Sequence, residues 1–141
     1  MNSKSKIISY GKNVYGVREI NSVVKTLKRT TQMGKNVENF EKKICKFFSK
    51  KYGLMVNSGT SALILAVKAL NLPKNSEVIT PGLNFGTAVS SIILNNLKPI
   101  FVDVEKDTLQ INVNKIEKKI SKKTSALLIP NLIGNIPNLP K

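Results

Sequence analysis

The run Asn57-Ser58-Gly59-Thr60 has the residue types from which phosphate sites are built. The apolar segment Leu54-Met55-Val56-Asn57 reads as a short strand leading into it, and residues 61–70 read as a helix leaving it. A strand-to-helix turn of this kind suits an anion. Glycine permits close backbone approach, the first helical N–H groups lack intrahelical partners, and the helix dipole favours negative charge there. Hydroxyls on Ser58, Thr60 and Ser61 supply further donors. The same residues also make an ordinary Ser/Thr cap, and the motif alone leaves both readings open. It is not a Walker loop, because the Gly-Lys-Ser/Thr ending is missing, and a single glycine is no dinucleotide fingerprint.

Two further positions could join such a site. Phe85 follows the segment Glu77-Val78-Ile79-Thr80-Pro81 and begins the next helix. A flat aromatic there could stack on a heteroaromatic ring for about 0.5–1.5 kcal/mol beyond its area burial, or simply serve the core. Asp103, at the end of another apolar run, could accept a hydrogen bond in the site. The preferred reading is that it caps the turn Glu105-Lys106-Asp107-Thr108. Cys45 is the only cysteine and histidine is absent, so disulfides, zinc clusters and an imidazole-activated thiol are excluded within this sequence. Cys45 is expected to be packed and inert, and no metal site is expected.

The elements that must position these residues follow from periodicity. Val17, Ile20, Val24 and Leu27 mark one amphipathic helix. After a break at residues 30–34, a second carries Val37, Phe40, Ile44, Phe47 and Phe48, with Asn36 as expected N-cap and Gly53 closing the segment. Strands and helices then alternate. Residues 54–57 form a strand, 61–70 a helix with Leu63, Ala66, Val67 and Leu70 buried, and 77–80 a second strand. Residues 85–95 form a helix capped by Asn84, with Ala88, Ile92 and Ile93 buried. A third strand at 99–103, a short helix at 113–120 and a fourth strand at 125–130 complete the series. Repeated β-α-β order implies an α/β fold, a mainly parallel sheet with helices on both faces, preceded by two N-terminal helices. Ligands of such sheets bind beyond the carboxyl ends of the strands.

The bulk composition narrows the classes. The 141 residues suffice for one domain with a core, and 41% hydrophobic with 22% charged residues is ordinary for a globular chain. No apolar run approaches the ~20 residues that span a bilayer, and no signal-peptide pattern follows the basic start, which leads us to expect a cytoplasmic protein without membrane contact. The formal charge of +15 raises nucleic-acid binding. Yet the cations are overwhelmingly lysine, Arg18 and Arg29 being the only arginines, and they are spread over every segment without an aromatic ladder. Specific readers favour arginine's planar fork, so specific nucleic-acid binding is not expected. A basic, non-catalytic binding module remains the alternative from a different class, marked by steep salt dependence and indifference to a cofactor.

Four ordered blocks carry a family resemblance. Residues 33–41, with Gly34 and Phe40-Glu41, come first, and Val56-Asn57-Ser58-Gly59-Thr60-Ser61-Ala62-Leu63 second. Glu77-Val78-Ile79-Thr80-Pro81 with Asn84-Phe85 is the third, and Pro99-Ile100-Phe101-Val102-Asp103-Val104 the fourth. In this order and spacing, from about residue 10 to 141, the sequence resembles the DegT/DnrJ/EryC1/StrS family of nucleotide-sugar aminotransferases. The resemblance implies the fold type I pyridoxal-phosphate-dependent transferase fold, with 1–52 an N-terminal helical segment and 53–141 an incomplete cofactor-binding α/β large domain. It implies pyridoxal 5'-phosphate or pyridoxamine 5'-phosphate as cofactor, with Gly59 and Thr60 on the phosphate, Ser58 beside them and Phe85 stacked on the pyridine ring. It further implies a nucleotide-linked keto-sugar as substrate, an amino donor such as glutamate, a homodimer, and a role in cell-surface polysaccharide or deoxyamino-sugar synthesis.

The family's Schiff-base lysine and the Asp that pairs with the pyridinium nitrogen are expected beyond Lys141, so no residue here is assigned a catalytic role. The sequence is accordingly read as an N-terminal fragment, inactive and poorly stable by itself. In the family fold the first strand of the large domain is parted from the next three by later strands, which would leave residues 54–57 without neighbours. Two departures stand out. Asn75-Ser76 occupy positions where Gly-Asp is common, and Ile129-Pro130-Asn131-Leu132-Ile133-Gly134-Asn135 lacks the usual histidine. The Gly-Asn ending and the stretch Asn95-Asn96-Leu97-Lys98-Pro99 look closer to the 3-dehydratase branch, which replaces the lysine with histidine and removes a hydroxyl rather than transferring nitrogen.

Overall fold

A computed structural model describes residues 11–32 and 34–139. The chain divides into two compact units, one through residue 55 and one from residue 56.

The first unit contains helices α1 (Val17–Arg29) and α2 (Lys35–Phe47). Gly16 caps α1, and the Glu19 carboxylate reaches back to accept the Gly16 N–H at 2.7 Å. This is half of a capping box, since glycine has no side chain to return the bond. The hydrogen bond from Gly16 holds the Glu19 carboxyl below its ordinary value of 4.5. The depressed folded-state value stabilises the helix fully above pH 4.5, and that contribution is lost as pH falls through the folded-state value. Acid titration followed by far-UV circular dichroism is therefore expected to show a loss of helix below about pH 4.5 that Glu19→Gln reduces.

Helix α2 begins two residues earlier than the sequence suggests. Gly34, not Asn36, is its N-cap, with its carbonyl accepting from Glu38 N–H at 3.1 Å. It also stops earlier than Gly53, because Ser49 enters the left-handed region at φ 52° and the Lys50 N–H turns back to the Cys45 carbonyl at 2.8 Å. Neither helix contains a buried residue among those described, and the apolar stripes read from the sequence are exposed except for half-buried Val37. Gly53 lies against Cys45, and a Cβ there would stand 2.7 Å from Sγ. Gly53→Ala should cost about 1–3 kcal/mol through this overpacking. Combining it with Cys45→Ala should return most of that loss, read as the shift in urea midpoint.

Residues 54–57 do not form the expected strand. None of the three strands described pairs with them, and the Met55 N–H donates instead to Glu41 Oε1 at 2.7 Å. Backbone groups without a ladder partner must find a side chain or water.

The second unit is the α/β body. It contains α3 (Gly59–Ala69), β1 (Glu77–Pro81), α4 (Gly86–Leu94), β2 (Lys98–Val102) and β3 (Thr124–Leu127). The sheet order is β2-β1-β3, all parallel. Central β1 is buried on both faces, with Val78, Ile79 and Thr80 nearly inaccessible, as the near-continuous apolar run of a parallel strand requires. Alternation along β1 sorts two cores. Val78 joins Val67, Ile92 and Leu97 under α3 and α4 on one face, while Ile79 joins Val102 and Ile111 on the other. That second face is covered by the connection carrying Ile111 and Ile116. The short helix expected at 113–120 resolves into two 3₁₀ turns, Val113–Lys115 and Glu117–Lys119.

Two helix faces differ from their sequence reading. Of the stripe expected in α3 only Val67 is buried; Ala66 and Leu70 are exposed and Leu63 is half-buried. In α4, Ser91 takes the buried place given to Ile93, its hydroxyl donating to the Ala88 carbonyl at 2.7 Å. A short α-helix tolerates a buried serine when its own backbone accepts the hydroxyl proton. The fourth strand ends at Leu127, before the 125–130 run is complete. Asn75 and Asn96 adopt left-handed φ of 66° and 60°, which asparagine tolerates better than most residues. The Asn75 N–H joins the two turns by donating to the Asn96 carbonyl at 2.8 Å.

Candidate functional site

Ser58 is the N-cap of α3, with extended backbone at φ −158° and ψ 159°. Its carbonyl accepts from Ala62 N–H and its Oγ from Ser61 N–H, each at 3.1 Å. Asn57 Oδ1 accepts from Ser61 Oγ at 2.7 Å, so the turn is tied down by its own side chains. These bonds account for the third and fourth amides of the helix. The N–H groups of Gly59 and Thr60 have no hydrogen-bond partner among the described residues. A helix end with two free amides and an aligned dipole is an anion seat.

Gly59 adds a second observation. A Cβ at this position would meet no atom within 4 Å, and its φ lies outside the left-handed region. The chain's own packing therefore does not require glycine here. The space beside it is free for another molecule to approach the backbone.

Phe85 closes the other side. It is the N-cap of α4, in extended conformation at φ −75° and ψ 132°, and the residue is 65% exposed rather than part of the core. Gly59, Thr60 and Phe85 line one open concavity of about 630 Å³, with Ala62, Leu63, Ala66 and Thr87. The residues that the sequence singled out separately thus meet in one place. Ser58 does not line the concavity, and its hydroxyl oxygen accepts the Ser61 N–H of the cap. Ala62, Leu63 and Ala66 were not anticipated as lining, although they share one face of α3 at the 3–4-residue spacing that Gly59 begins. Thr87, the second residue of α4, gives no sequence signal.

Asp103 stands apart from this concavity. It pairs with Lys115 at 2.9 Å and accepts from Val104 N–H at 2.9 Å, and these contacts, Lys115 foremost, hold its carboxyl below the ordinary range. It does not cap the turn at 105–108, where Thr108 Oγ1 donates to Glu105 Oε2 at 3.3 Å. A larger concavity of about 700 Å³ lies against β3, lined by Ile116, Ile120, Leu127 and Leu139 among others. It offers neither a free helix terminus nor an exposed aromatic ring. Among the described residues no group of three or more His, Cys, Asp or Glu side chains is placed to hold a metal. No helix among them is long and apolar enough to cross a membrane.

The two unbonded amides, the open space at Gly59 and the exposed ring of Phe85 fit a phosphate ester carried by a flat heterocycle. The model of the DegT/DnrJ/EryC1/StrS aminotransferase family matches residues 14–141. The chain belongs to this family. Among DegT/DnrJ/EryC1/StrS relatives, it is 40% identical over 108 residues to dTDP-4-amino-4,6-dideoxy-D-glucose transaminase of Shigella dysenteriae, covering 77% of this chain and 29% of that one. It is 34% identical over 128 residues to GDP-4-keto-6-deoxy-D-mannose 3-dehydratase of Yersinia pseudotuberculosis, covering 86% and 32%. The structure of the Escherichia coli GDP-4-keto-6-deoxy-D-mannose-3-dehydratase with bound hydrated PLP superposes with a TM-score of 0.83 at 29% identity, covering 90% of this chain and 34% of that one. The chain thus has the fold type I architecture of the family and spans about a third of the length of the relatives it matches.

Proposed function

We propose that this chain forms the phosphate-gripping part of a pyridoxal-phosphate-dependent nucleotide-sugar aminotransferase. The observation that carries the reading is the meeting of Gly59, Thr60 and Phe85 around one concavity at the free N-terminus of α3. Gly59 and Thr60 donate their backbone N–H groups to the phosphate, and the α3 dipole adds to the attraction. Ser58 holds the turn in shape through Ser61 rather than by touching the ligand. Phe85 packs its ring against the heterocycle and keeps water from one face of it. When bound, the cofactor, as pyridoxal or pyridoxamine 5'-phosphate, supplies an electron sink that stabilises carbanion character beside nitrogen.

In this reading residues 53–141 are the cofactor-binding portion, and the protein works in the cytoplasm on a nucleotide-linked keto-sugar with an amino acid such as glutamate as donor. A homodimer agrees with the exposed apolar stripes of α1 and α2. A second reading, nucleotide-sugar 3-dehydratase, is supported by the histidine-free run Ile129-Pro130-Asn131-Leu132-Ile133-Gly134-Asn135 and by the dehydratase relative. The test is product analysis after incubation of the whole protein with GDP- and dTDP-linked 4-keto-6-deoxysugars, glutamate and cofactor. An aminosugar supports transfer, and a keto-sugar lacking one hydroxyl supports dehydration. Unchanged sugar with every substrate would overturn both.

A further inference from the structure

Phe85 is exposed, yet the backbone that aims it is fastened to the most buried polar group of the sheet. Thr80, the penultimate residue of β1, is wholly inaccessible. Its hydroxyl donates to the Leu128 carbonyl just past β3 at 2.8 Å, and its oxygen accepts from Asn84 Nδ2 at 2.9 Å. Asn84 Oδ1 then accepts the Phe85 N–H at 2.7 Å. The direction of each bond is fixed by the others. The Thr80 proton is taken by a carbonyl that can only accept, so the amide must turn its NH₂ to Thr80 and its oxygen to the Phe85 N–H. The Phe85 amide is one of the orphan donors at the start of α4 and would otherwise depend on water.

We propose that Thr80 and Asn84 are positioning residues for the ligand ring, holding Phe85 at the angle from which it stacks. This rests on the cofactor reading given above. Asn84 touches neither the free amides of α3 nor the concavity they open into. Its removal should therefore weaken recognition of the ring while leaving recognition of the phosphate alone. A serine at position 80 keeps the hydroxyl and so keeps the tether, whereas valine removes it with little change of shape.

The experiment measures binding of pyridoxamine 5'-phosphate by its own fluorescence in equilibrium dialysis, and of inorganic phosphate by competition. The amine form avoids the adducts that an aldehyde would form with surface lysines. The dissociation constant of phosphate divided by that of pyridoxamine 5'-phosphate isolates the ring. Phe85→Ala is expected to lower that ratio about fivefold. Asn84→Ala and Thr80→Val should lower it in the same direction, with the phosphate constant unchanged, and Thr80→Ser should restore it. In a Phe85→Ala background Asn84→Ala should cause no further loss, which a general loosening of the fold would not reproduce. Should Thr80→Val fail to fold, the Asn84→Ala cycle and Thr80→Ser decide alone. The proposal is overturned if Phe85→Ala lowers the ratio while Asn84→Ala does not, or if Asn84→Ala still lowers it without Phe85. Failure of Phe85→Ala to change the ratio would sink the cofactor reading, and the tether with it.

Discussion

Gly59→Asp is expected to raise the stability of the chain and abolish useful binding of a phosphate ester. A carboxylate in the first turn of α3 opposes the positive end of the helix dipole, worth about 0.3–1 kcal/mol. Nothing offsets that gain sterically, because a Cβ at Gly59 meets no protein atom within 4 Å. The same carboxylate occupies the space beside the free Gly59 and Thr60 amides and repels a phosphate. Affinity for pyridoxamine 5'-phosphate should fall about 100-fold or more, roughly 2.7 kcal/mol. Stability and binding therefore move in opposite directions from one substitution. Thermal melting with and without ligand checks both: a higher midpoint without ligand, and no ligand-induced rise. A lower midpoint in the absence of ligand would mean that Gly59 is glycine for packing reasons after all.

Ile92→Ala should be the most damaging of single truncations in the helical layer. Ile92 is fully buried and joins α4 to Val67 of α3, Val78 of β1 and Leu97. Loss of its methyl groups leaves a cavity between helix and sheet and should cost about 2–5 kcal/mol. The neighbouring Ile93→Ala should change stability by less than about 0.5 kcal/mol, since that side chain is 56% exposed. Urea unfolding of the two variants makes the comparison. Equal losses would contradict the assignment of Ile92, rather than Ile93, to the core.

This pair also shows where the sequence was readable and where it was not. The period of apolar residues located α4 and β1 well, because a buried parallel strand and its crossover helix have strong patterns. It could not separate adjacent isoleucines, since a nine-residue helix allows either to face inward, and a serine satisfied by its own backbone took the remaining buried place. The α3 stripe was misread for a different reason. Leu63 and Ala66 line the concavity beside Gly59 and Phe85, so apolar side chains at helical spacing mark the wall of a concavity as well as a core. Residues 54–57 carry the composition of a strand, but a strand exists only with a partner, and none lies among the described strands.

The site was legible in parts. The turn and helix start around Gly59 and the aromatic at Phe85 were both visible, but as separate features with commonplace alternatives. Only the packing of α3 beside α4 brings them to one concavity. The place of Ser58 was half-legible, since a Ser at such a turn can be a ligand contact, a cap or both, and the bond from Ser61 N–H shows the cap. The Thr80–Asn84 tether left no trace in the sequence, because it depends on the Leu128 carbonyl 48 residues away.

In the proposed site the free end of α3 recognises a phosphate group. Parallel titration with pyridoxamine 5'-phosphate and with pyridoxamine, which share the ring and differ in the phosphate, tests it most directly. The account predicts saturable binding of the ester at one site, at least about tenfold tighter than the unphosphorylated amine, with inorganic phosphate competing and Gly59→Asp removing the difference. Equal affinity for the two compounds, or a difference that survives Gly59→Asp, would contradict it.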